Sequence, residues 1–317
     1  MYRHEISKRQ LFAWSVGAIA APLAQLAGGA ACTTVLLTGI ITGIFLFLVE
    51  KVGRRINQIP HWLKYIAVVW ITVKLIYLLQ LAENSWQADS SRFFVPIVLL
   101  ALAAWSAAKG KVQAAKVAAI LFCLTMVGYG IVGAASLGEL KLGWVISGTK
   151  DFRIQYAVIF MLPLVLLFLP TKEKVITSNW VIVTSVIGTL FAAIVNGILS
   201  PEIGGRQTNG FYEMSRSIQL FGVVQRFEVL IAAIMVMGWF MTLSLYMSAI
   251  DSVVKERGKQ PAIWGVAIAA GAAYMIGAEI SEYWVLAADI ILSMSVVIAA
   301  LTLSKKDIKN KKRGLTF

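Results

Sequence analysis

The chain has 317 residues, of which 59% are apolar and 14% charged, and its mean hydropathy is +0.78. This composition excludes a chain of ordinary soluble domains and indicates a protein whose solvent is largely lipid. The net charge of +13 falls mainly on segments between apolar runs. We therefore interpret it as attraction to anionic lipid headgroups and not as a nucleic-acid-binding surface.

Apolar runs recur along the whole chain, and each is about as long as a helix that crosses a hydrocarbon core. Such helices satisfy their own backbone hydrogen bonds, which lipid cannot do for them. We predict an all-α integral membrane protein with a single polytopic domain over residues 1–317. Its ten predicted spans are residues 11–28, 31–49, 62–82, 93–108, 117–136, 154–170, 179–199, 227–250, 262–280 and 284–303.

The lysines and arginines predict the orientation of the chain. If both termini lie in the cytoplasm, most of these cations fall in cytoplasmic loops or in the basic tail, residues 304–317. This distribution follows the positive-inside rule. We expect the tail to lie against the anionic headgroups of the cytoplasmic leaflet.

Two prolines lie inside predicted spans, where each removes a helical hydrogen bond. Pro22 is in the first span and Pro163 in the sixth, which are corresponding positions if the spans form two sets of five. This pattern predicts a five-plus-five inverted repeat with broken first and sixth helices. Broken helices can bind a small solute through free backbone groups; alternatively, each proline only kinks a packed helix. The candidate solute-binding residues are Val16, Gly17, Ala18, Pro22, Phe160, Met161 and Pro163.

Polar residues inside other spans are further candidates. Lys74 lies near the middle of the third span, where insertion-based scales assign a cost of about 3 kcal/mol to a charge. It is either a functional cation, which pairs with a substrate carboxylate or takes the place of a transported ion, or a structural one that snorkels or forms an ion pair. Asp289 lies five residues into the tenth span, about 8 Å deep at about 1.5 Å per residue, so its side chain could reach the outer interface. Asn196 in the seventh span is expected to join helices by a hydrogen bond.

The approach to the eighth span, "FYEMSRSIQL FGVVQRFEVL", is unusually polar. Apolar residues recur at spacings of three and four from Phe211 to Phe221, so residues 211–222 are predicted to form an outer interfacial helix. Glu213 and Arg216 are three residues apart and can pair. The segment is either an outer gate or an amphipathic connector. The candidate gate residues are Glu213, Arg216, Arg226 and Glu228.

The sequence contains no recognisable catalytic or metal-binding set. His4 and His61 lie far from each other and from any carboxylate pair, and there is no phosphate-binding loop. Cys32 and Cys123 both fall in apolar spans and are interpreted as packing residues. We therefore expect no enzyme activity, no metal site and no cofactor.

The N-terminal "EISKRQLFAW" and the longer stretch "FYEMSRSIQLFGVVQRFEVLIAAIMVMGWFMTLSLYMSAI" resemble the spore germination permease family. These proteins are the membrane B subunits of Ger-type nutrient germinant receptors, in the amino-acid/polyamine/cation transporter superfamily. The first stretch is similar to the element that precedes the first span in that family. In the second, the matching positions are Arg216, Ser217, Ile218, Arg226, Glu228, Trp239 and Ser244 to Tyr246.

The resemblance implies a transporter fold that endospores use in their inner membrane to sense a small germinant such as an amino acid. It also implies a complex with a germinant-receptor A subunit and a lipoprotein C subunit. In this interpretation the signal is a difference in ligand affinity between two conformations. Two alternatives stay open: a secondary amino-acid or cation transporter that uses the same site, and a structural subunit that binds no solute.

Overall fold

The computed structural model describes residues 6–53, 59–85, 93–145, 148, 153–169, 178–207, 209–217, 227–254 and 261–313. These residues are almost entirely helical and form no β-strand. The prediction of an all-α protein is therefore confirmed. The α-helices are α1 Lys8–Leu26, α2 Cys32–Gly53, α3 His61–Glu83, α4 Phe94–Lys109, α5 Lys111–Ser136, α6 Leu142–Val145, α7 Ile154–Phe160, α8 Ser178–Leu199, α9 Pro201–Arg206, α10 Gly210–Ser217, α11 Phe227–Val254, α12 Pro261–Met275 and α13 Glu282–Arg313.

Six helical segments among the described residues are long and apolar enough to cross a membrane. They are Cys32–Gly53, His61–Glu83, Lys111–Glu139, Ser178–Leu199, Glu228–Val254 and Glu282–Leu303, and shorter apolar helices occupy Phe94–Lys109, Ile154–Phe168 and Ala262–Met275. Helix α1 has 19 residues, but its first turn carries two cations and its interior is rich in alanine. Each predicted span thus contains helix, whereas six segments qualify as membrane-crossing by length and composition.

Helix α1 lies in the centre of the bundle, because every residue from Ala13 to Gln25 is buried. It packs against α5, α8, α10 and α11. Small residues allow this, since they let neighbouring backbones come close. A Cβ atom placed on Gly238 of α11 would lie 2.4 Å from the Cβ of Ala21. The two helices are therefore in direct contact at this point.

The link between α1 and α2, residues 27–31, is buried although it is not helical. Gly28 and Gly29 have φ angles of 144° and 69°, which favour glycine. The link lies against backbone of α9 and α10: a Cβ on Gly29 would be 2.4 Å from the Cα of Gly205, and one on Gly210 would be 2.2 Å from the oxygen of Ala27. We call this contact the glycine crossing; it consists of Gly28, Gly29, Gly204, Gly205 and Gly210.

Polar side chains form hydrogen bonds with the backbone of this link. A buried segment that is not helical requires such partners for its N–H and C=O groups. The Asn196 side chain accepts a hydrogen bond from the N–H of Gly29 at 2.7 Å and donates one to the oxygen of Ala30 at 2.8 Å. Arg153 donates to the oxygen of Gly28 at 3.1 Å. Asn196 was predicted to join helices by a hydrogen bond; it does bond to another part of the chain, but its partner is this link and not another helix.

The two proline-containing spans differ from each other. Helix α1 is continuous from Lys8 to Leu26 with Pro22 in its interior, so the prediction of a broken first helix is wrong. The sixth span does change geometry: α7 ends at Phe160, and a 3-10 helix follows from Leu162 to Phe168. The five-plus-five inverted repeat stays a prediction.

Some predictions fall outside the described ranges. Arg226 is among them, as are residues 218–222 of the expected interfacial helix and residues 314–317 of the tail. The part of the tail that is described, residues 304–313, continues α13 as one helix. The basic tail therefore begins as an extension of the last apolar helix.

Candidate functional site

The two charges predicted inside spans form one ion pair. The Nζ of Lys74 on α3 lies 2.5 Å from the Oδ2 of Asp289 on α13, and both side chains have 0% exposure. The expectation that Asp289 could reach the outer interface is wrong, because its side chain points into the bundle. Of the alternatives for Lys74, the snorkelling lysine is excluded by the same burial.

Each charge of the pair has a further hydrogen bond. The indole N–H of Trp70 donates to the Oδ1 of Asp289 at 2.8 Å, so both carboxylate oxygens have a donor. The Lys74 ammonium also donates to the backbone oxygen of Val158 at 3.2 Å. A buried pair needs such additional bonds, because the attraction between two charges rarely offsets their desolvation alone. The pair is therefore well satisfied in this conformation.

The partner of Lys74 on α7 belongs to the last turn before the helix changes geometry. Pro163 lies at the start of the 3-10 helix that follows, and it has no N–H to continue the α-helical pattern. On the far side of this change, the oxygen of Leu162 accepts a hydrogen bond from the Tyr246 hydroxyl of α11 at 3.3 Å. Side chains thus bind the backbone on both sides of the helix break.

One aromatic contact joins these groups. The rings of Trp70 and Tyr246 have centroids 5.7 Å apart, and the Lys74 ammonium lies 5.9 Å from the Trp70 ring. We call the set Trp70, Lys74, Val158, Tyr246 and Asp289 the charge cluster. It connects α3, α11 and α13 to the break in the sixth apolar run.

At Pro22 the structure agrees with the alternative in which the proline lies in a helix that is packed against its neighbours. Because Pro22 has no N–H, the oxygen of Ala18 four residues earlier lacks its helical donor. The hydroxyl of Thr242 on α11 donates to this oxygen at 2.6 Å. Gly17 lies against Met241, whose sulfur would be 2.7 Å from a Cβ at that position. The backbone that was predicted to meet a solute is therefore in contact with α11.

Replacing Thr242 with valine should lower the free energy of unfolding by about 1–2 kcal/mol, because the oxygen of Ala18 is then buried without a donor. The Pro22→Ala change restores an N–H at this point, so the double variant should lose less stability than the sum of the two single variants. Thr125→Val is the matched control, since the Thr125 hydroxyl bonds only to its own helix. Unfolding in detergent micelles measures all four proteins, and strictly additive losses would contradict the assignment.

The remaining candidate solute-binding residues are also buried. Val16 is 1% exposed, Phe160 0% and Met161 4%. The ring of Phe160 lies near α2, where a Cβ on Gly39 would be 3.2 Å from it. Gly17 thus contacts α5 and α11, and Ala18 contacts α11, whereas Phe160 contacts α2.

The approach to the eighth span contains the short helix α10. The Arg216 guanidinium lies 3.5 Å from the Glu213 carboxylate, which confirms the expected pairing, and their side chains are 52% and 19% exposed. On the opposite face, Phe211 and Met214 are buried, and the Phe211 ring contacts Tyr129 and Phe191. Helix α10 therefore covers protein with its apolar face, and Glu228 lies in the first turn of α11, which follows it.

The described family-like residues on α11 point inward. The Trp239 indole donates to the Ser85 hydroxyl at 2.8 Å, and this hydroxyl donates to the side chain of Gln25 at 2.6 Å. The Ser244 hydroxyl accepts a hydrogen bond from Trp14 of α1 at 3.2 Å. These contacts attach α11 to α1 at two levels.

Sequence reasoning missed Gln25, Ser85, Trp70 and Thr242. Gln25 and Thr242 carry a signal, because each is a polar side chain in an apolar run, which favours a hydrogen bond between helices. Trp70 carries none, since tryptophan is common in such runs.

Comparisons with known proteins add no relative: no protein-family model matches the chain, and a search of curated proteins finds no match. Within the described residues, no group of three or more His, Cys, Asp or Glu side chains could hold a metal ion.

Proposed function

We propose that this chain is a permease-type membrane protein that binds a small polar solute, and that the charge cluster changes conformation when the solute binds. The observation that carries the proposal is the ion pair between Lys74 and Asp289, bonded to Val158 at the helix break. Apolar residues of similar size would fill this space at equal or lower free energy. Ionisable residues inside a membrane protein are therefore functional candidates.

The pair provides two states with a clear physical difference. In the closed state the charges satisfy each other; in an open state Lys74 and Asp289 each need another partner. A solute that carries an anionic or cationic group supplies that partner and so favours the open state. The ligand shifts the equilibrium only by its difference in affinity for the two states.

We assign this site more specifically to the membrane subunit of a spore nutrient-germinant receptor. This assignment rests on the resemblance in the stretch from Phe211 to Ile250, whose described family-like positions Trp239, Ser244 and Tyr246 lie in the contacts between α11, α1 and the charge cluster. In such a receptor, the germinant would be a small molecule such as an amino acid. The A and C subunits would receive the signal in the inner membrane of the spore.

The proposal includes ten membrane crossings with both termini in the cytoplasm. Helix α1 then crosses inside the bundle, where its moderate hydropathy is no obstacle because protein surrounds it. The positive-inside distribution of lysine and arginine supports this orientation.

A secondary transporter is the second candidate. It is favoured by the break at Met161, because transporters bind solutes and coupling ions where helices are discontinuous. In that case the same opening of the ion pair would alternate access to the site.

Disrupting the gene in a spore-forming host should remove germination on at least one nutrient from a panel of amino acids and sugars. The wild-type gene should restore the response, and so should a Lys116→Met variant, whose altered side chain is exposed on α5. The double variant Lys74→Met/Asp289→Leu should restore none of it. Normal germination on every nutrient, together with accumulation of a labelled amino acid in liposomes, would reject the receptor and support the transporter.

A further inference from the structure

A second site candidate lies at the opposite end of α1 from the glycine crossing. A groove of about 480 Å³ opens between the first turns of α1 and the neighbouring helices α5 and α8. Its volume is in the range of about 300–1,000 Å³ that is common for ligand pockets. The residues that line it are Lys8, Arg9, Gln10, Phe12, Ala13, Ala119, Phe122, Cys123 and Trp180.

The inner wall of the groove is aromatic. The ring of Phe12 makes edge-on contacts with Phe122 of α5 and Trp180 of α8, at centroid distances of 6.2 and 5.6 Å. All three side chains are only partly buried. The groove is therefore an apolar surface that the fold forms but does not fill.

The surface around the groove indicates which solvent it meets. On α5, Val117, Ile120 and Leu124 are 43%, 64% and 53% exposed. On α8, Ile182 and Val183 are 40% and 43% exposed. Large apolar side chains exposed in such a row face lipid in a membrane protein. The groove thus opens onto the lipid-facing side of α5 and α8.

The mouth of the groove is cationic. Lys8 and Arg9 line it at the start of α1, and both side chains are exposed. A ligand with an apolar chain and an anionic head matches this arrangement, because its chain covers the rings while its charge meets the cations.

We propose that the groove binds one anionic phospholipid of the surrounding bilayer, with an acyl chain along Phe12, Phe122 and Trp180 and the phosphate at Lys8 and Arg9. The bound lipid fills the gap between α1, α5 and α8. None of the residues that line this site belongs to the charge cluster, so the proposal does not depend on the function proposed above.

Native mass spectrometry of the full chain with dioleoyl phosphatidylglycerol and dioleoyl phosphatidylcholine tests the site. One phosphatidylglycerol should bind more tightly than any further lipid. The Lys8→Gln/Arg9→Gln variant should weaken this first binding about thirtyfold, because the two cations near the phosphate together contribute roughly 2 kcal/mol. Phosphatidylcholine binding should change less than twofold. The control variant Lys116→Gln removes an exposed cation of α5 that does not line the groove, and it should leave the affinities for both lipids unchanged.

A second pair of variants tests the apolar wall. Cys123→Phe fills the groove from an exposed position and should weaken the binding of both lipids at the first site, whereas Leu124→Phe, beside it but not lining the groove, should not. If Lys116→Gln and Lys8→Gln/Arg9→Gln weaken binding by the same free energy per charge removed, the lipid responds only to overall charge, and the site is overturned. Unchanged binding in Cys123→Phe would place the lipid elsewhere and overturn it as well.

Discussion

Replacing Lys74 with methionine should lower the free energy of unfolding by about 3–5 kcal/mol, the loss typical when one partner of a buried ion pair is removed. The cause is Asp289, which keeps its burial and its bond from Trp70 but loses the neutralising charge 2.5 Å away. Unfolding in mixed detergent micelles, followed by tryptophan fluorescence, measures this loss.

The double variant Lys74→Met/Asp289→Leu should recover most of the lost stability, because neither charge is then buried without its partner. Lys116→Met is the control for replacing a lysine by methionine at an exposed site and should change the free energy of unfolding by less than about 0.5 kcal/mol. If Lys74→Met proves as stable as the wild type, the two side chains do not form an ion pair in the folded protein.

The double variant also separates stability from function. The variant keeps the packing between α3 and α13, but it has no pair of charges that could separate when a solute binds. We expect a folded protein that no longer responds to solute. A double variant with normal stability and a normal response would make the pair structural and would reject the proposed site.

Gly210→Ala should destabilise the protein by about 3 kcal/mol, at the upper end of the usual range for overpacking. The added Cβ would lie 2.2 Å from the oxygen of Ala27. Neither side can give way easily, because the contact is with backbone and not with the end of a flexible side chain. Gly29→Ala should have an effect of similar size, since its φ of 69° adds strain.

Gly130→Ala is the matched control for these two changes. Gly130 lies within helix α5, and apart from its chain neighbours and the nearby backbone of that helix, no heavy atom lies within 4 Å of a Cβ at that position. Alanine should therefore stabilise the helix by up to about 1 kcal/mol. The thermal midpoints of the three variants in detergent provide the comparison. A Gly210→Ala protein as stable as Gly130→Ala would show that α10 does not contact the link between α1 and α2 at the glycine crossing.

Much of the fold could be predicted from the sequence, because hydropathy and length act locally. Each of the ten apolar runs contains helix, and the single polar residues within them marked real contacts, as Lys74 and Asn196 show. The pairing of Lys74 with Asp289 could not be predicted in this way. The two residues are 215 positions apart in sequence, and only the packing of α3 against α13 brings them together.

The prolines show where a local rule fails. Pro22 and Pro163 remove the same type of hydrogen bond, yet α1 continues and the sixth apolar run changes geometry. At Pro22 the donor Thr242 replaces the missing N–H. The outcome therefore depends on a residue of α11, which the sequence around Pro22 does not contain.

Helix α13 extends far beyond the charge cluster. From Asp289 to Arg313 the helix is uninterrupted, which corresponds to about 36 Å at 1.5 Å per residue. In the proposed function, a tilt of α13 that accompanies opening of the pair would therefore be largest at the basic end of the helix, far from the buried aspartate.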